Sequence, residues 1–282
     1  MIKFTNGLLP DISNQDYHDN RTHISSSGLK LFLDCPRDFY VKYIEGKEDN
    51  SPHPNQAAFD FGSYVHALIL EPHLVEEEFI VFDGAMRRGE KWVKFKEKHK
   101  DKIILTMNQG AMAANMLVGF NNQKIVIGKH GFEKEVHISS FFEDGKAEES
   151  FAGTICGIDL KVRCDYRREF EDFGSINDVK TTNESLYPDK DKHNLKVVED
   201  VCNRFSYDLS AALYVDVISG ILGKPQDFYF TFLSKSTGHT CIFRASPEML
   251  ERGRQKYLSA IVGILEARKT GIWFENKIME IR

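Results

Sequence analysis

An aspartate and a lysine stand two residues apart in Asp178-Val179-Lys180, inside the stretch Ser175-Ile176-Asn177-Asp178-Val179-Lys180-Thr181-Thr182. Residues i and i+2 of a β-strand project to one face, so this carboxylate and ammonium would leave a strand side by side. Upstream, Arg163-Cys164-Asp165-Tyr166 sets a second acid on a strand of its own. Hard oxygen donors on neighbouring strands can share one Mg²⁺ or Mn²⁺, and a lysine beside them can orient a water or stabilise developing negative charge. Glu135, on the alternating stretch before them, is a third acid; Glu133 competes with it, because the alternation allows either register. An Asp-x-Lys pair alone is common by chance, as Asp144-Gly145-Lys146 shows, and alone reads as a surface ion pair of small worth. Its context raises it: a strand ending in Asp165, then the hydroxyl-rich Thr181-Thr182, then helical spacing.

The elements that must hold these groups follow from periodicity. Ser25 or Ser26 caps a helix carrying Leu29, Phe32 and Leu33 at helical spacing, and Pro36 suits the first turn of the next. Residues 57–72 are apolar nearly all round and end at Pro72, which predicts a buried helix with His66 in its middle. That histidine is either a core residue with a satisfied hydrogen bond or a metal or phosphate contact facing a cleft. Residues 76–102 are densely charged, with Arg87, Arg88 and Lys91 opening a run of lysines around Trp92 and Phe95. The run is either a solvated helix face or a rail for backbone phosphates with a stacking aromatic. From about residue 132 the pattern turns to strands: 132–138, 157–165 and 173–182, with 141–149 as an acidic turn and acids at Glu135, Asp165 and Asp178. One long helix is predicted over 196–222, then strands at 227–233 and 240–244, then a helix from Pro247 to about Lys269. The expected architecture is α/β (α+β-like). It has an arm over 1–22 and one domain over 23–282, mainly helical to 130 and sheet-bearing from 131.

Composition bounds the rest. The 282 residues are 41% hydrophobic and 28% charged, enough for a sizeable core, and the net charge of −5 gives no global basic field. The five cysteines form no Cys-x-x-Cys pair, which argues against structural zinc, a disulfide framework or an iron–sulfur cluster, and for a reducing intracellular setting. Residues 1–20 do not read as a signal peptide, and no apolar run reaches the roughly 20 residues of a membrane span.

Taken together, Ile24-Ser25-Ser26-Ser27-Gly28-Leu29, Gly62-Ser63-Tyr64-Val65-His66 with Leu70-Glu71-Pro72, Arg163-Cys164-Asp165, Asp178-Val179-Lys180-Thr181-Thr182 and Tyr207 to Tyr214 occur in an order that resembles the RecE-type exodeoxyribonuclease VIII nuclease domain. That domain belongs to the PD-(D/E)xK superfamily, which includes the phage lambda exonuclease. The resemblance covers roughly residues 22–270. It implies a restriction-endonuclease-like core, a mixed central sheet flanked by helices. It implies His66, Asp165 and Asp178 as metal ligands with the Val179 carbonyl assisting, Lys180 as the catalytic lysine, and Glu135 (or Glu133) as the remaining acid. The helix after the central motif often carries a glutamine four residues before a tyrosine; here Ser210 precedes Tyr214. Those two, with Arg87, Arg88 and Lys91, are the expected DNA contacts. The resemblance further implies Mg²⁺-dependent digestion of one strand of linear double-stranded DNA from its 5′ end, for recombination or DNA processing, with Mn²⁺ substituting. A ring-like homo-oligomer, a single-strand annealing partner and a cytoplasmic setting in a bacterial or phage-infected cell go with it. An endonuclease or repair-complex module of the same superfamily is the alternative. A non-catalytic DNA-binding protein on a nuclease scaffold is the alternative of another class.

Overall fold

The computed structural model describes residues 3–47, 55–84, 86–127 and 133–274. The chain begins with a two-residue strand β1 (Gly7–Leu8) and a short helix α1 (Asn14–Asp19). Next come α2 (Ser26–Asp34), α3 (Pro36–Phe39) running into a π-type turn over Tyr40–Ile44, and α4 (Gln56–Leu70). Of the two serines expected as caps, Ser25 caps α2 by accepting from the Gly28 amide, and Ser26 opens the helix. A small unit follows: α5 (Val75–Glu78), β2 (Phe79–Phe82), α6 (Gly89–Lys98) and β3 (Ile103–Thr106), with β2 and β3 paired in parallel. Helix α7 (Met107–Asn122) starts on a reciprocal Thr106–Gln109 capping box, and β4 (Lys124–Ile127) pairs antiparallel with β5 (Lys134–His137).

The remaining elements are β6 (Lys146–Ile155), β7 (Ile158–Glu169), β8 (Gly174–Thr182), α8 (Asp191–Arg204), α9 (Tyr207–Leu222), β9 (Gln226–Ser234), β10 (Thr240–Arg244) and α10 (Pro247–Thr270). The central sheet runs β1-β6-β7-β8-β9-β10, antiparallel throughout except for the parallel β8–β9 pair. This is the mixed sheet between helices that the resemblance implies. On one face Phe228, Phe230 and Phe232 alternate along β9 and pack with Ile176, Leu209, Leu213 and Ile261 under α2, α9 and α10. On the other, Val179 and Leu233 pack with Phe61 and Val65 of α4 and Met116 of α7. The period of two therefore assigns Asp178 and Lys180, in register with Phe230 and Phe232, to the α9 side.

Several expectations change. The meander holding the site is β6-β7-β8; the strand over 132–138 belongs instead to the peripheral β4–β5 pair. Strand β6 occupies residues read as an acidic turn and beyond, and residues 149–153 are buried throughout, so it lacks the alternation of a half-exposed strand. The single helix over 196–222 is two helices bent by 80°, broken where Ser206 takes φ +47°. The arm over 1–22 is docked: Phe4, Leu9, Ile12 and Tyr17 pack on Ala152, and β1 pairs with β6. Among the described residues no single helix is long and apolar enough to cross a membrane.

Candidate functional site

Strands β7 and β8 pair from Glu169↔Gly174 up to Tyr166↔Asn177 and no further. Beyond that point the strands part, and Asp165 Oδ2 accepts from the Val179 amide at 2.7 Å. A side chain has replaced the ladder bond, so the two strand ends separate without orphaning a buried amide. The groups with chemistry lie directly at this gap: Asp165 and Asp178 are the residues next after the last pair.

His66 reaches the gap from α4. Its Nε2 lies 2.8 Å from the Val179 carbonyl oxygen and its Nδ1 lies 3.6 Å from Asp165 Oδ2. A carbonyl only accepts, so in the neutral ring Nε2 carries the hydrogen and Nδ1 turns its lone pair towards Asp165. An acceptor then faces an acceptor. Glu148 of β6 joins them: ligand atoms of His66, Glu148 and Asp165 all lie within 4.8 Å of one another. The flanking pairs Ala147↔Tyr166 and Glu149↔Cys164 set Glu148 across from Asp165. Glu148 adopts φ +53°, a strained left-handed conformation for glutamate. Burial, then the neighbouring Asp165, push its carboxyl up to about 8, against the pull of Arg163. Two carboxylates and an imidazole nitrogen within this span fit a divalent cation that takes oxygen and nitrogen donors.

Asp178 stands outside that group of three. Its Oδ2 holds Lys180 Nζ at 2.6 Å on the α9 side. Burial raises the Asp178 carboxyl; Lys180 opposes the shift and Asp165 adds to it. Burial pulls the Lys180 ammonium down, but Asp178 and Asp165 outweigh it, so the lysine stays charged well above neutrality. Lys180 Nζ also lies 5.4 Å from the centre of the Tyr207 ring, which the break before α9 brings against Phe230 and Phe232.

The other expected residues divide. Glu135 lies on the peripheral β5, exposed and 2.9 Å from Lys124, and Glu133 precedes it, also exposed. The glutamate beside His66 and Asp165 is Glu148, and this corrects the expectation for Glu135. Hydrogen bonding could have found Glu148 only if β6 had been recognised as a strand. The Val179 carbonyl has both lone pairs engaged, by His66 Nε2 at 2.8 Å and Lys180 Nζ at 3.3 Å. Tyr214 is mostly buried against Phe228, and burial raises its hydroxyl well above the usual range. Ser210, one turn before it on α9, is partly buried. Arg87 fastens the small β2–α6–β3 unit: its Nη2 donates to the Ile104 carbonyl at 2.6 Å and its guanidinium lies over Trp92. Lys91 pairs with Asp83 at 2.6 Å, and Arg88 is exposed.

A family model described as "PDDEXK-like domain of unknown function (DUF3799)" matches residues 25–276. A solved structure from Eubacterium rectale, named "Putative exonuclease", shares the fold with a TM-score of 0.61 at 15% sequence identity, over 94% of this chain and 89% of that one. No curated protein matches the chain in sequence.

Proposed function

From a chain that belongs to the PDDEXK-like DUF3799 family, we propose a metal-dependent deoxyribonuclease that degrades linear double-stranded DNA from its ends. The observation that carries it is the facing of acceptors at the parted strand ends: His66 Nδ1, Asp165 and Glu148, with the Asp178–Lys180 pair beside them. Among the described residues the cation recorded against these acids on the α4 side is Arg163, whose Nε lies 4.0 Å from Glu148. A bound divalent cation would supply Lewis-acid activation of a phosphodiester oxygen and a more acidic water.

The chain's own groups then have distinct tasks. Asp165 and Glu148 offer carboxylate oxygens, and Asp165 is held in place by the Val179 amide. His66 is fixed in one tautomer by the Val179 carbonyl, leaving Nδ1 free to ligate. Asp178 orients Lys180, whose ammonium is positioned to align the attacking water or to stabilise charge on the phosphate oxygens. Mg²⁺ is the expected ion, and Mn²⁺ the expected substitute.

End-labelled linear duplex, incubated with and without Mg²⁺, tests the reading. Loss of label in Mg²⁺, none in EDTA, and none with Asp178→Ala is the expected result. Undiminished digestion by Asp178→Ala would overturn it. Label at the 5′ or the 3′ end reads polarity, and a closed circular duplex separates an exonuclease from an endonuclease of the same superfamily.

A further inference from the structure

Lys30 on α2 lies on the α9 side of the same strand end. Its Nζ is 5.2 Å from the centre of the Tyr207 ring, the ring that also carries Lys180 Nζ at 5.4 Å. The charges that act on it are those of Lys180 and Asp178 of β8, Asp208 of α9 and Lys256 of α10. Both of those carboxylates are already engaged. Asp178 holds Lys180 at 2.6 Å. Asp208, wholly buried, accepts from Arg252 Nε at 2.8 Å, from Lys256 Nζ at 2.9 Å and from the Leu209 amide at 2.9 Å. Helix α10 comes this close because Gly253 has no side chain: a Cβ there would fall 2.0 Å from the Asp208 carbonyl oxygen.

Lys30 is thus left with no hydrogen bond or ion pair among the described residues, apart from the face of one ring. Four cations, Lys30, Lys180, Arg252 and Lys256, surround two carboxylates. A partly buried ammonium without a counter-ion is costly, and a cation–π contact offsets only part of that cost. Burial, then Lys180, lower its ammonium to about 8, which is the mark of that cost. The surplus charge calls for an anion, and it stands beside the group that meets the phosphodiester in the proposed reaction.

We propose that Lys30 is a further substrate-contacting residue: its ammonium takes a backbone phosphate of the DNA strand being cut, next to Lys180 and against the Tyr207 ring. This rests on the nuclease reading for the identity of the anion. The whole chain is compared with Lys30→Met, which keeps the aliphatic stem, and Lys30→Arg, which keeps the charge. Binding of a short linear duplex is measured across a salt series with Ca²⁺ replacing Mg²⁺, cleavage separately in Mg²⁺, and melting in parallel.

Lys30→Met is expected to bind about tenfold more weakly, with a salt slope shallower by about one, the signature of one lost phosphate contact. Its melting temperature should hold or rise, because an unpaired charge has gone. Lys30→Arg should restore the slope. A Lys30→Met protein that melts well below the native chain and keeps its slope would make Lys30 structural and overturn the proposal. Unchanged affinity and slope while the native chain cleaves DNA would overturn it too and leave the nuclease reading standing. A native chain that never cleaves but loses one unit of slope in Lys30→Met would remove the nuclease reading and keep the phosphate contact. A native chain that binds no duplex would remove both.

Discussion

On the α4 side of β8, ligand atoms of His66, Asp165 and Glu148 crowd together, with Arg163 at 4.0 Å from Glu148 as the near cation; burial and Asp165 hold a proton on Glu148 up to about pH 8, the place a metal cation would take. On the α9 side, Lys30, Lys180, Arg252 and Lys256 surround Asp178 and Asp208, and one ammonium remains over. The same strand end is therefore short of positive charge on one side and holds it in excess on the other. Folding alone would favour neutral, paired groups in both places. Retaining both imbalances within a few ångströms is intelligible if each is completed from outside, one by a cation and one by an anion. A metal ion and a phosphodiester satisfy the two together.

The largest break in this contrast comes from Asp178, which holds Lys180 on the α9 side and feels the charge of Asp165 on the other. Asp178→Ala should lower cleavage of linear duplex by about a thousandfold or more while the protein still melts cooperatively, and EDTA should do the same to the native chain. Next is the comparison of two glutamates. Glu148→Gln should shift the Mg²⁺ titration midpoint of cleavage by about tenfold to a hundredfold, and Glu135→Gln should leave it where it is. The opposite ranking would return the site acid to β5.

A third test sharpens the α9 side by pH. Lys30 is lowered from 10.5 to about 8 in the folded chain by burial and Lys180, with Asp178, Asp208 and Lys256 as its other charged neighbours and Tyr207 as its ring contact. Between about pH 8 and 10.5 the unfolded chain holds this proton and the folded chain does not, so stability gains a term that rises with pH. Below that window the charged form is a full penalty. Lys30→Met removes the penalty, so its stability advantage should be greatest near pH 7 and shrink towards pH 10, read by denaturant melts of both proteins. A gap that widens with pH would contradict the assignment. The smallest effects separate two arginines far from the sheet end. Arg87→Ala should cost about 1–2 kcal/mol of stability through its lost bond to the Ile104 carbonyl and leave the DNA salt slope alone. Arg88→Ala should leave melting unchanged and alter the slope by one unit at most.

Asp165, Asp178, Lys180 and His66 could be located from sequence because each lies in an element read as strand or helix there and beside one of the motifs that carry the resemblance. Glu148 could not. Its strand is built of small and buried residues such as Ala152 and Gly153, and its own backbone at φ +53° departs from the alternation that would have pointed to it. The adjacent Glu149 looks equivalent in sequence, yet it is paired with Arg167 at 2.7 Å. The break between α8 and α9 was hidden for a related reason: no glycine or proline marks it, and Ser206 takes the left-handed turn instead. Lys30 reads as the polar face of an amphipathic helix, because the groups that crowd it come from β8, α9 and α10. Long-range placement of this kind has no local signature.

The docked arm sets an order of events. Lys161 Nζ donates to the Tyr17 and Asn20 carbonyls, and Asn6 Nδ2 donates to Thr154 Oγ1 at 3.1 Å, across about 140 to 150 intervening positions. At ribosomal rates of roughly 5–20 residues per second, the first segment would wait on the order of ten to thirty seconds for its partners. Closing so long a loop late is slow, and until it closes the outer edge of β6 is an open template for other chains. Strand β1 is only two residues long, so it shields that edge without itself offering a long one to the next molecule.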